Sequence, residues 1–508
     1  MKQPNTVIGL DIGTTTTIGL AVAMPDSILA VAKRPVTLSA PRPGWAEEDP
    51  EQWWQNSCEI LRELTAQIDP SHLAGICVTG MLPAVVLLDG DGALLRPSIQ
   101  QSDGRCSDEV DELRREVDED AFLKRTGNGI NQQLVATKLR WLKRHEPDVF
   151  KRIATVFGSY DYINWRLTGT RAVEQNWALE AGFTDLRTNT IADDLVRLAD
   201  IRRSAIPQRS VSHEKLGTVS ADGAKSTGLP EGLPVFGGAA DHILSALAAG
   251  ITQPGDVLLK FGGSGDIIVA SDRALPDHRL YLDYHLVPGL YAPNGCMATS
   301  GTALNWLAEI LGLEPGEPRP HKQLDQLAEA IAPGSDGLIC LPYLAGEKTP
   351  IHDPLARGAF VGLTLSHTRA HMWRAMLEAV AFGFRHHVQV LAEIGHTPRR
   401  YLASDGGTAS RLWMQITSDV LAAPVQLLEN DYGSAVGAAF VAAIGARLTA
   451  DWSSIIRLSR HGLLVQPDPR RSAVYDQAYG RYRELYVRLA PYFHGEGSSP
   501  TLRAATTR

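Results

Sequence analysis

The 508-residue chain lacks the long apolar segments that signal peptides and membrane helices need. No run of about 18 apolar residues occurs, and the first residues, MKQPNTVIGLDIG, contain no apolar stretch typical of a secretory signal. Cysteine is scarce and never spaced as CxxC, which argues against both a disulfide framework and a zinc site. The sequence therefore predicts a cytoplasmic protein that does not associate with membranes. Its five cysteines are Cys58, Cys77, Cys106, Cys296 and Cys340.

An excess of basic residues is also missing. The chain has 49 Lys and Arg against 57 Asp and Glu, a formal net charge of −8. Proteins that bind nucleic acid favour a basic surface, so no nucleic-acid partner is expected. The hydrophobic fraction of 44% and the charged fraction of 21% are typical of globular proteins. The length predicts two large domains or three smaller ones.

Strand and helix patterns alternate along the chain and indicate an α/β fold. Residues 7–23 read as two apolar strands joined by a polar turn, and Pro50–Gln67 has the apolar spacing of a helix. A second strand, small polar turn and strand follow at residues 256–270. This weak similarity predicts two α/β halves, an N-terminal domain of residues 1–252 and a C-terminal domain of residues 253–508, with a mobile polar tail from about residue 494.

The turn of the first hairpin, in VIGLDIGTTTTIGLAVA, combines one carboxylate, one glycine and four threonines. Gly13 permits a close approach of a ligand, and the amides and hydroxyls of Thr14, Thr15 and Thr16 can donate to phosphate oxygens. Asp11, at the end of the strand, can hold Mg²⁺ through water. The alternative is a solvated hairpin face whose threonines pair with one another.

Neither a GxxxxGK[ST] loop nor a GxGxxG fingerprint after a strand is present. The hairpin instead resembles the first phosphate loop of the sugar kinase, heat-shock protein and actin ATPase superfamily. PGWAEEDPEQWW, SDGRC and LPYLAGEKTPIHDPLARGAFVGL are similar to segments of the FGGY carbohydrate kinases, and SDGRC to xylulokinases among them. The resemblance extends from residue 7 to about residue 448.

This resemblance implies two actin-like, ribonuclease H-like ATPase domains around a central cleft. It also implies ATP and Mg²⁺ as cofactors, a small-molecule sugar or polyol as substrate, and a possible homodimer. The sugar hydroxyl would attack the γ-phosphoryl group of ATP while a carboxylate accepts its proton.

Asp241 is the candidate for that carboxylate. It follows an apolar strand and a glycine turn in LPVFGGAADHILSALAAG, where the resemblance implies the general base. From the residues alone, a helix N-cap is the favoured interpretation of Asp241, a role that stabilises a helix by about 1 kcal/mol, and the resemblance reverses this preference.

Two further segments resemble the nucleotide-binding motifs of the family. KFGGSGDII is similar to the second phosphate loop, although Gly263 replaces a threonine, so one hydroxyl contact is missing. ASDGGTASRLWMQITSDVL is similar to the adenosine motif, although Asp405 stands where a glycine is usual. The residues that the resemblance assigns to ATP in these segments are Gly262, Gly263, Ser264, Gly406, Gly407 and Thr408.

The expected sugar pocket departs from xylulokinases at three places. Leu82, after Met81, replaces a histidine; Gln101 and the serine after it replace Trp-Asn; and His242 follows the base where Asn is common. Losing one polar partner can change substrate discrimination by orders of magnitude. The candidate sugar contacts are Met81, Leu82, Gln101, Asp103, Asp241 and His242.

Asp103 and Arg105 match xylulokinase-like positions and have two interpretations: they line the pocket, or they form a structural ion pair. The sequence thus predicts an ATP-dependent carbohydrate kinase that is xylulokinase-like. The alternatives are a kinase for another ketose, polyol or sugar acid, an ATPase switch with the same core, or a degenerate kinase that binds sugar as a regulator.

Overall fold

The computed structural model describes residues 4–312, 320–429 and 432–495. Backbone contacts divide the chain into two compact units. The first unit contains residues 1–252, 270–293 and 432–459, and the second contains residues 253–269, 294–431 and 460–508. The units thus differ from a single division at residue 252, because two later segments pack within the first unit. The tail predicted to be mobile from about residue 494 lies almost entirely outside the described residues.

The strands follow the predicted alternation with helices, and the first hairpin has nearly the predicted bounds. In chain order they are β1 Thr6–Ile12, β2 Thr16–Ala23, β3 Ser27–Pro35, β4 Glu47–Glu48, β5 Leu73–Gly80, β6 Val86–Leu88, β7 Ser98–Ile99, β8 Thr155–Phe157, β9 Ala172–Glu174, β10 Thr184–Asp185, β11 Thr190–Ile191, β12 Gln208–Ser210, β13 Lys215–Thr218, β14 Pro234–Ala240, β15 Asp256–Phe261, β16 Gly265–Val269, β17 Tyr281–Tyr284, β18 Tyr291–Met297, β19 Ile339–Leu341, β20 Ala359–Val361, β21 Arg400–Ser404, β22 Val425–Glu429 and β23 Arg460–Val465.

The helices alternate with these strands. They are α1 Pro50–Gln67, α2 Ser107–Glu116, α3 Glu119–Thr126, α4 Val135–His145, α5 Pro147–Arg152, α6 Ser159–Thr168, α7 Gln175–Glu180, α8 Asp193–Arg197, α9 Ala221–Thr227, α10 Asp241–Ala248, α11 Gly301–Ile310, α12 Pro320–Ala328, α13 Arg369–Ile394, α14 Arg411–Leu421, α15 Gly433–Gly445 and α16 Pro469–Phe493. Among the described residues, no helix combines the length and the apolar character that crossing a membrane requires.

The first unit is built on a six-stranded sheet in the order β13-β14-β5-β1-β2-β3. β1 pairs antiparallel with β2 and parallel with β5, and β14 pairs parallel with β5. Helix α15 packs closely on β1 because Gly9 has no side chain: a Cβ there would lie 2.0 Å from the carbonyl oxygen of Ala435. This contact explains why residues 432–459 belong to the first unit.

The second unit repeats this arrangement. In its main sheet the strands β18-β16-β15-β21-β22-β23 lie in this order, with β15 antiparallel to β16 and parallel to β21. Helix α13 supplies a long buried segment, with Trp373, Met376 and Val380 each at most 1% exposed. The predicted α/β class and the second strand-turn-strand are therefore confirmed.

Candidate active site

The first hairpin ends in a tip of small polar residues. The last paired residues of β1 and β2 are Ile12 and Thr17. A Cβ at Gly13 would lie 2.8 Å from the carbonyl oxygen of Thr16, so a larger residue would disturb the turn. Thr15 is exposed, while Thr14 and Thr16 are half-buried. The backbone amides and hydroxyls of the tip are thus near the surface, and their binding of phosphate stays a prediction.

Asp11 lies beside this tip, close to the end of β1. Its Oδ2 atom accepts a hydrogen bond of 2.6 Å from the hydroxyl of Ser434, the second residue of α15. Ser434 is 423 residues away in sequence, and no local pattern in the sequence indicates this contact. The half-buried carboxylate is a hard oxygen donor, which is the ligand type that Mg²⁺ prefers.

Asp241 begins α10, directly after β14. The N-cap position belongs to Ala240, which makes no side-chain cap, so Asp241 is the first helical residue. The glycines before it have little space: a Cβ at Gly238 would lie 2.0 Å from the carbonyl oxygen of Val78, and Gly238 has a φ of 88°. The register of β14 against β5 shifts at this point. The glycines therefore shape a bulge that leads the strand into Asp241.

His242 lies between two carboxylates. Its Nε2 atom is 3.0 Å from Oδ2 of Asp283, and its Nδ1 atom is 3.5 Å from Oδ1 of Asp241. Burial alone would lower the pKa of His242, but hydrogen bonds to Asp241 and Asp283 outweigh burial and hold that pKa well above its ordinary value. These contacts therefore favour the positively charged form of the imidazole. That it contacts the sugar stays a prediction.

Asp283 and Glu180 complete this cluster, and the sequence analysis missed both. Ligand-type atoms of Glu180, His242 and Asp283 all lie within 4.8 Å of one another. Burial, with the charge of Asp283 second, raises the pKa of Glu180 well above its ordinary value. A metal ligand must be a neutral imidazole, whereas the two carboxylates that face His242 favour its protonated form. The arrangement is therefore that of an ion-pair network in which Asp283 is buried and Glu180 and His242 are half-buried.

The segment around Asp103 is buried and tightly paired. Two hydrogen bonds join Arg105 to Asp103, from Nε to Oδ1 at 2.8 Å and from Nη2 to Oδ2 at 2.7 Å. Neither side chain is exposed, and the guanidinium lies 3.7 Å from the ring centre of Trp45. Of the two interpretations for this pair, the geometry supports the structural ion pair.

Two buried polar atoms near this pair have no hydrogen-bond partner within the described residues. They are Oε1 of Gln100 and Nη1 of Arg105. Beside them, Nζ of Lys138 donates to the carbonyl oxygen of Gln100 at 2.7 Å, and burial lowers the pKa of Lys138 to about 8. Buried polar groups are rarely left unpaired in proteins.

The other three predicted sugar contacts differ in exposure. Met81 and Leu82 are 2% and 6% exposed, and the carbonyl oxygen of Met81 accepts a hydrogen bond of 2.7 Å from Ser159. Gln101 is half-buried, and its Oε1 atom accepts from the amide of the next residue. These two apolar side chains thus belong to the core, whereas Gln101 is accessible.

The second hairpin has a shorter tip than the first. Phe261 pairs with Gly265, which leaves Gly262, Gly263 and Ser264 unpaired. The carbonyl oxygens of Gly262 and Gly263 accept from amides at the start of α11. The hydroxyl oxygen of Thr302 lies 3.0 Å from the position that a Cβ at Gly263 would occupy. The exposed hydroxyl of Thr302 therefore lies beside Gly263, the residue at which the resemblance would place a threonine.

The third predicted nucleotide segment begins with a strained residue. Asp405 has φ 72° and ψ −177°, a backbone conformation that is otherwise almost restricted to glycine. Asp405 thus keeps the backbone of the glycine that it replaces, and its carbonyl oxygen accepts a hydrogen bond from the hydroxyl of Thr408 at 2.8 Å. Its Oδ2 atom lies 3.2 Å from the Cβ position of Gly262.

Gly406 and Gly407 line a cavity of about 760 Å³ in the second unit. Gly407 has no room for a side chain, since a Cβ would lie 2.6 Å from Cβ of Phe261. The walls come from α11, α12, α13 and α14, and Trp373 in one wall donates to Oδ1 of Asp325 at 2.8 Å. The size suits a small organic ligand.

Comparisons with known proteins match nearly the whole chain. The model of the FGGY family of carbohydrate kinases, N-terminal domain, matches residues 6–248, and that of the C-terminal domain matches residues 257–446. The chain is similar to xylulose kinase from Escherichia coli (strain K12), with 30% identity over 492 residues that cover 95% of this chain and 99% of the relative.

Solved structures are similar over the same length. The crystal structure of xylulose kinase from Rhodospirillum rubrum matches with 63% identity and a TM-score of 0.92, covering 96% of this chain and all of the other. Gluconate kinase from Lactobacillus acidophilus matches with 26% identity and a TM-score of 0.91, covering 96% of this chain and 99% of the other. These matches confirm the predicted two-domain fold class.

Proposed function

The chain belongs to the FGGY family of carbohydrate kinases, which makes it a phosphotransferase that uses ATP, and on that premise we propose that it phosphorylates a hydroxyl of a ketose such as xylulose. The observation that carries the choice of sugar is the 63% identity, over 96% of the chain, to xylulose kinase from Rhodospirillum rubrum. Family membership favours this function over an ATPase switch or a degenerate regulator.

Asp241 is proposed as the general base. Its side chain is 36% exposed, so a substrate can reach it, and its Oδ1 atom accepts a hydrogen bond of 2.6 Å from the amide of His242. This bond restricts the rotation of the carboxylate. The base accepts the proton of the sugar hydroxyl as the oxygen bonds to phosphorus, and the phosphoryl group leaves ADP.

Asp11 is proposed to hold Mg²⁺ beside the threonine tip. The half-buried carboxylate, oriented by the hydroxyl of Ser434, fits a hard cation with oxygen ligands. When bound, the ion would offset negative charge on the phosphate oxygens of ATP. The amides and hydroxyls of Gly13, Thr14, Thr15 and Thr16 would donate to the same oxygens.

The second unit is proposed to bind the nucleotide. The cavity beside Gly406 and Gly407 would receive the adenosine, and the tip of Gly262, Gly263 and Ser264 would contact phosphate. The hydroxyl of Thr302 would supply the contact that Gly263 cannot make, since its oxygen lies 3.0 Å from the position that a Cβ at Gly263 would occupy. Residues 1–252 would correspondingly carry the sugar and the base.

The sugar is proposed to bind near Gln101 and the buried Asp103–Arg105 pair. Gln101 is half-buried, so its side chain can reach a sugar hydroxyl, whereas the fully buried Asp103–Arg105 pair would support the backbone beside it. A sugar acid is the second candidate substrate. The replacement of the expected histidine by Leu82 and the match to a gluconate kinase both favour it. A homodimer and a cytoplasmic location stay predictions.

The test is sugar-dependent release of ADP from Mg²⁺-ATP, measured with D-xylulose, other ketoses, polyols and gluconate at matched concentrations. We expect kcat/KM for D-xylulose to exceed that for every other compound. A higher value for gluconate would establish the second candidate. ADP release at one rate with and without every sugar would contradict the kinase function and favour the switch.

A further inference from the structure

We propose that Asp283 is a positioning residue for phosphoryl transfer, acting through His242 to orient the carboxylate of Asp241. The inference rests on the proposed role of Asp241 as the general base. Asp283 lies in β17, 42 residues after Asp241 in the sequence, and belongs to the same compact unit.

The contacts form a continuous chain. The carboxylate of Asp283 is fully buried, and its Oδ2 atom lies 3.0 Å from Nε2 of His242. The other ring nitrogen of His242 faces Oδ1 of Asp241 at 3.5 Å, and the backbone amide of His242 donates to the same oxygen at 2.6 Å. The imidazole plane is therefore held at one end by Asp283 and directs the other end at the base.

The backbone on both sides of Asp283 is held by two asparagine side chains. Asn128 accepts from the amide of Leu282 at 3.0 Å and donates to its carbonyl oxygen at 2.9 Å. Asn176 makes the same pair of bonds to Tyr284, at 2.8 and 3.1 Å. Each asparagine side chain thus makes the pair of backbone hydrogen bonds that a neighbouring strand would make. Asp283 lies between Leu282 and Tyr284, so its backbone is restricted, as a positioning role requires.

The charged groups around His242 favour its protonated form. Asp241 and Asp283 face the two ring nitrogens, and Glu180, at the end of α7, is the third acidic group in contact. The pKa of Glu180 is well above its ordinary value, because of burial first and the charge of Asp283 second. Burial and that charge therefore favour the protonated, uncharged form of Glu180.

This arrangement matters because a general base works only from a productive orientation. Misplacing a reacting group by about 1 Å can cost roughly 10²-fold in rate. The proton of the sugar hydroxyl moves to Asp241 alone, while His242 keeps both of its protons throughout. Asp283 therefore contributes orientation and charge balance, and takes no proton from the substrate.

The experiment combines Asp283→Asn, His242→Asn and the double variant, with kcat and KM measured for the best sugar. We expect each single variant to lose roughly 10- to 100-fold in kcat, with KM for ATP unchanged. We expect the double variant to be no worse than the poorer single variant, because both changes break one chain of contacts. Two losses that multiply would overturn the proposal, as would full kcat in Asp283→Asn.

The matched control is Asp185→Asn. Asp185 is also a buried carboxylate of the first unit, but it pairs with Arg125 at 2.9 Å. We expect this variant to lower the melting temperature and to leave kcat unchanged. A comparable loss of kcat in the control would mean that removing any buried carboxylate has this effect, and would contradict the specific role of Asp283.

A second readout does not depend on activity. The pKa of His242, followed by NMR of labelled histidine with His242→Asn as the assignment standard, should lie above 6.5 in the unchanged chain and fall in Asp283→Asn. An ordinary pKa for His242 in the unchanged chain would refute the ion-pair chain, even if Asp283→Asn does not fold. Failure of the kinase assay with a raised His242 pKa would instead refute the proposed function.

Discussion

The two hairpins that open the sheets differ in where their polar groups come from. In the first, the tip itself supplies three threonines, and a carboxylate lies on the same hairpin at Asp11. In the second, the tip is Gly262, Gly263 and Ser264, and its neighbours Thr302 and Asp405 belong to other elements. The same strand arrangement thus presents different polar groups at its two tips, because the small side chains of the second tip leave space for Thr302 and Asp405.

This comparison predicts different effects on kinetics and stability for variants in the two units. The first unit holds the proposed base and metal ligand, so its variants should lower kcat. The second holds the proposed nucleotide contacts, so its variants should change KM for ATP or stability.

The largest effect is expected for Asp241→Asn, since an amide cannot accept the proton of the sugar hydroxyl. We expect kcat to fall by roughly 10²–10⁴-fold, with the fold retained. The measurement is steady-state kinetics together with circular dichroism. Normal turnover in a correctly folded Asn variant would refute the assignment of the base.

A smaller loss is expected for Asp11→Asn, because an amide holds Mg²⁺ less well than a carboxylate. We expect kcat to fall on the order of 10²-fold, together with a rise in the Mg²⁺ concentration needed for half-maximal rate. Ser434→Ala is the matched control, since it removes the orienting hydroxyl and keeps the carboxylate, so its effect should be weaker. An unchanged Mg²⁺ dependence in Asp11→Asn would contradict the metal role.

The second hairpin can be tested by removing the hydroxyl of Thr302 and, separately, by introducing a threonine with Gly263→Thr. Thr302→Ala should raise KM for ATP by about 10-fold, the loss of one hydrogen bond to a charged group. Gly263→Thr should also weaken binding, because its Cβ would lie 3.0 Å from the hydroxyl of Thr302.

The double variant, Gly263→Thr with Thr302→Ala, moves the hydroxyl from one residue to the other and removes the crowding. We expect it to recover most of the affinity for ATP, and titration with Mg²⁺-ATP measures this. If the two single effects simply add, the hydroxyls do not share one position.

The smallest effect is expected for Asp405→Gly, which keeps the backbone conformation and removes its strain. We expect the free energy of unfolding to rise by about 1 kcal/mol, measured by urea denaturation. Asp405→Ala is the control that removes the carboxylate and keeps the strain, so it should not stabilise the protein. Equal stabilisation by both variants would assign the effect to the carboxylate.

Much of the local structure could be predicted from the sequence. The helix predicted at Pro50–Gln67 has the same bounds in the structure, because Asp49 caps it, Pro50 suits its first turn, and Trp53, Ile60 and Leu64 recur on one face. The first hairpin could be predicted for a similar reason, since its two apolar strands lie on either side of a run of turn residues. These signals lie within a few residues of one another.

The site was only partly predictable. The motif residues could be named from the sequence, and their roles stay predictions. Asp283, Glu180, Ser434 and Thr302 could not be named from it, and their roles are proposals. For Asp103 the sequence allowed two interpretations, a residue that lines the pocket and a member of a structural ion pair. The geometry supports the ion pair. Spacing along the chain carries no information about such partners, because each contact joins separate elements.

The sequence by itself determined the α/β class, the family resemblance and the residues of the two hairpin tips. These follow from local backbone preference and from motifs that are contiguous in the chain. Only the tertiary structure decided that Asp283 faces His242, that Ser434 reaches Asp11, and that a hydroxyl stands beside Gly263. Those contacts depend on how strands and helices pack, and packing brings together residues whose separation in sequence is unrelated to their distance in space.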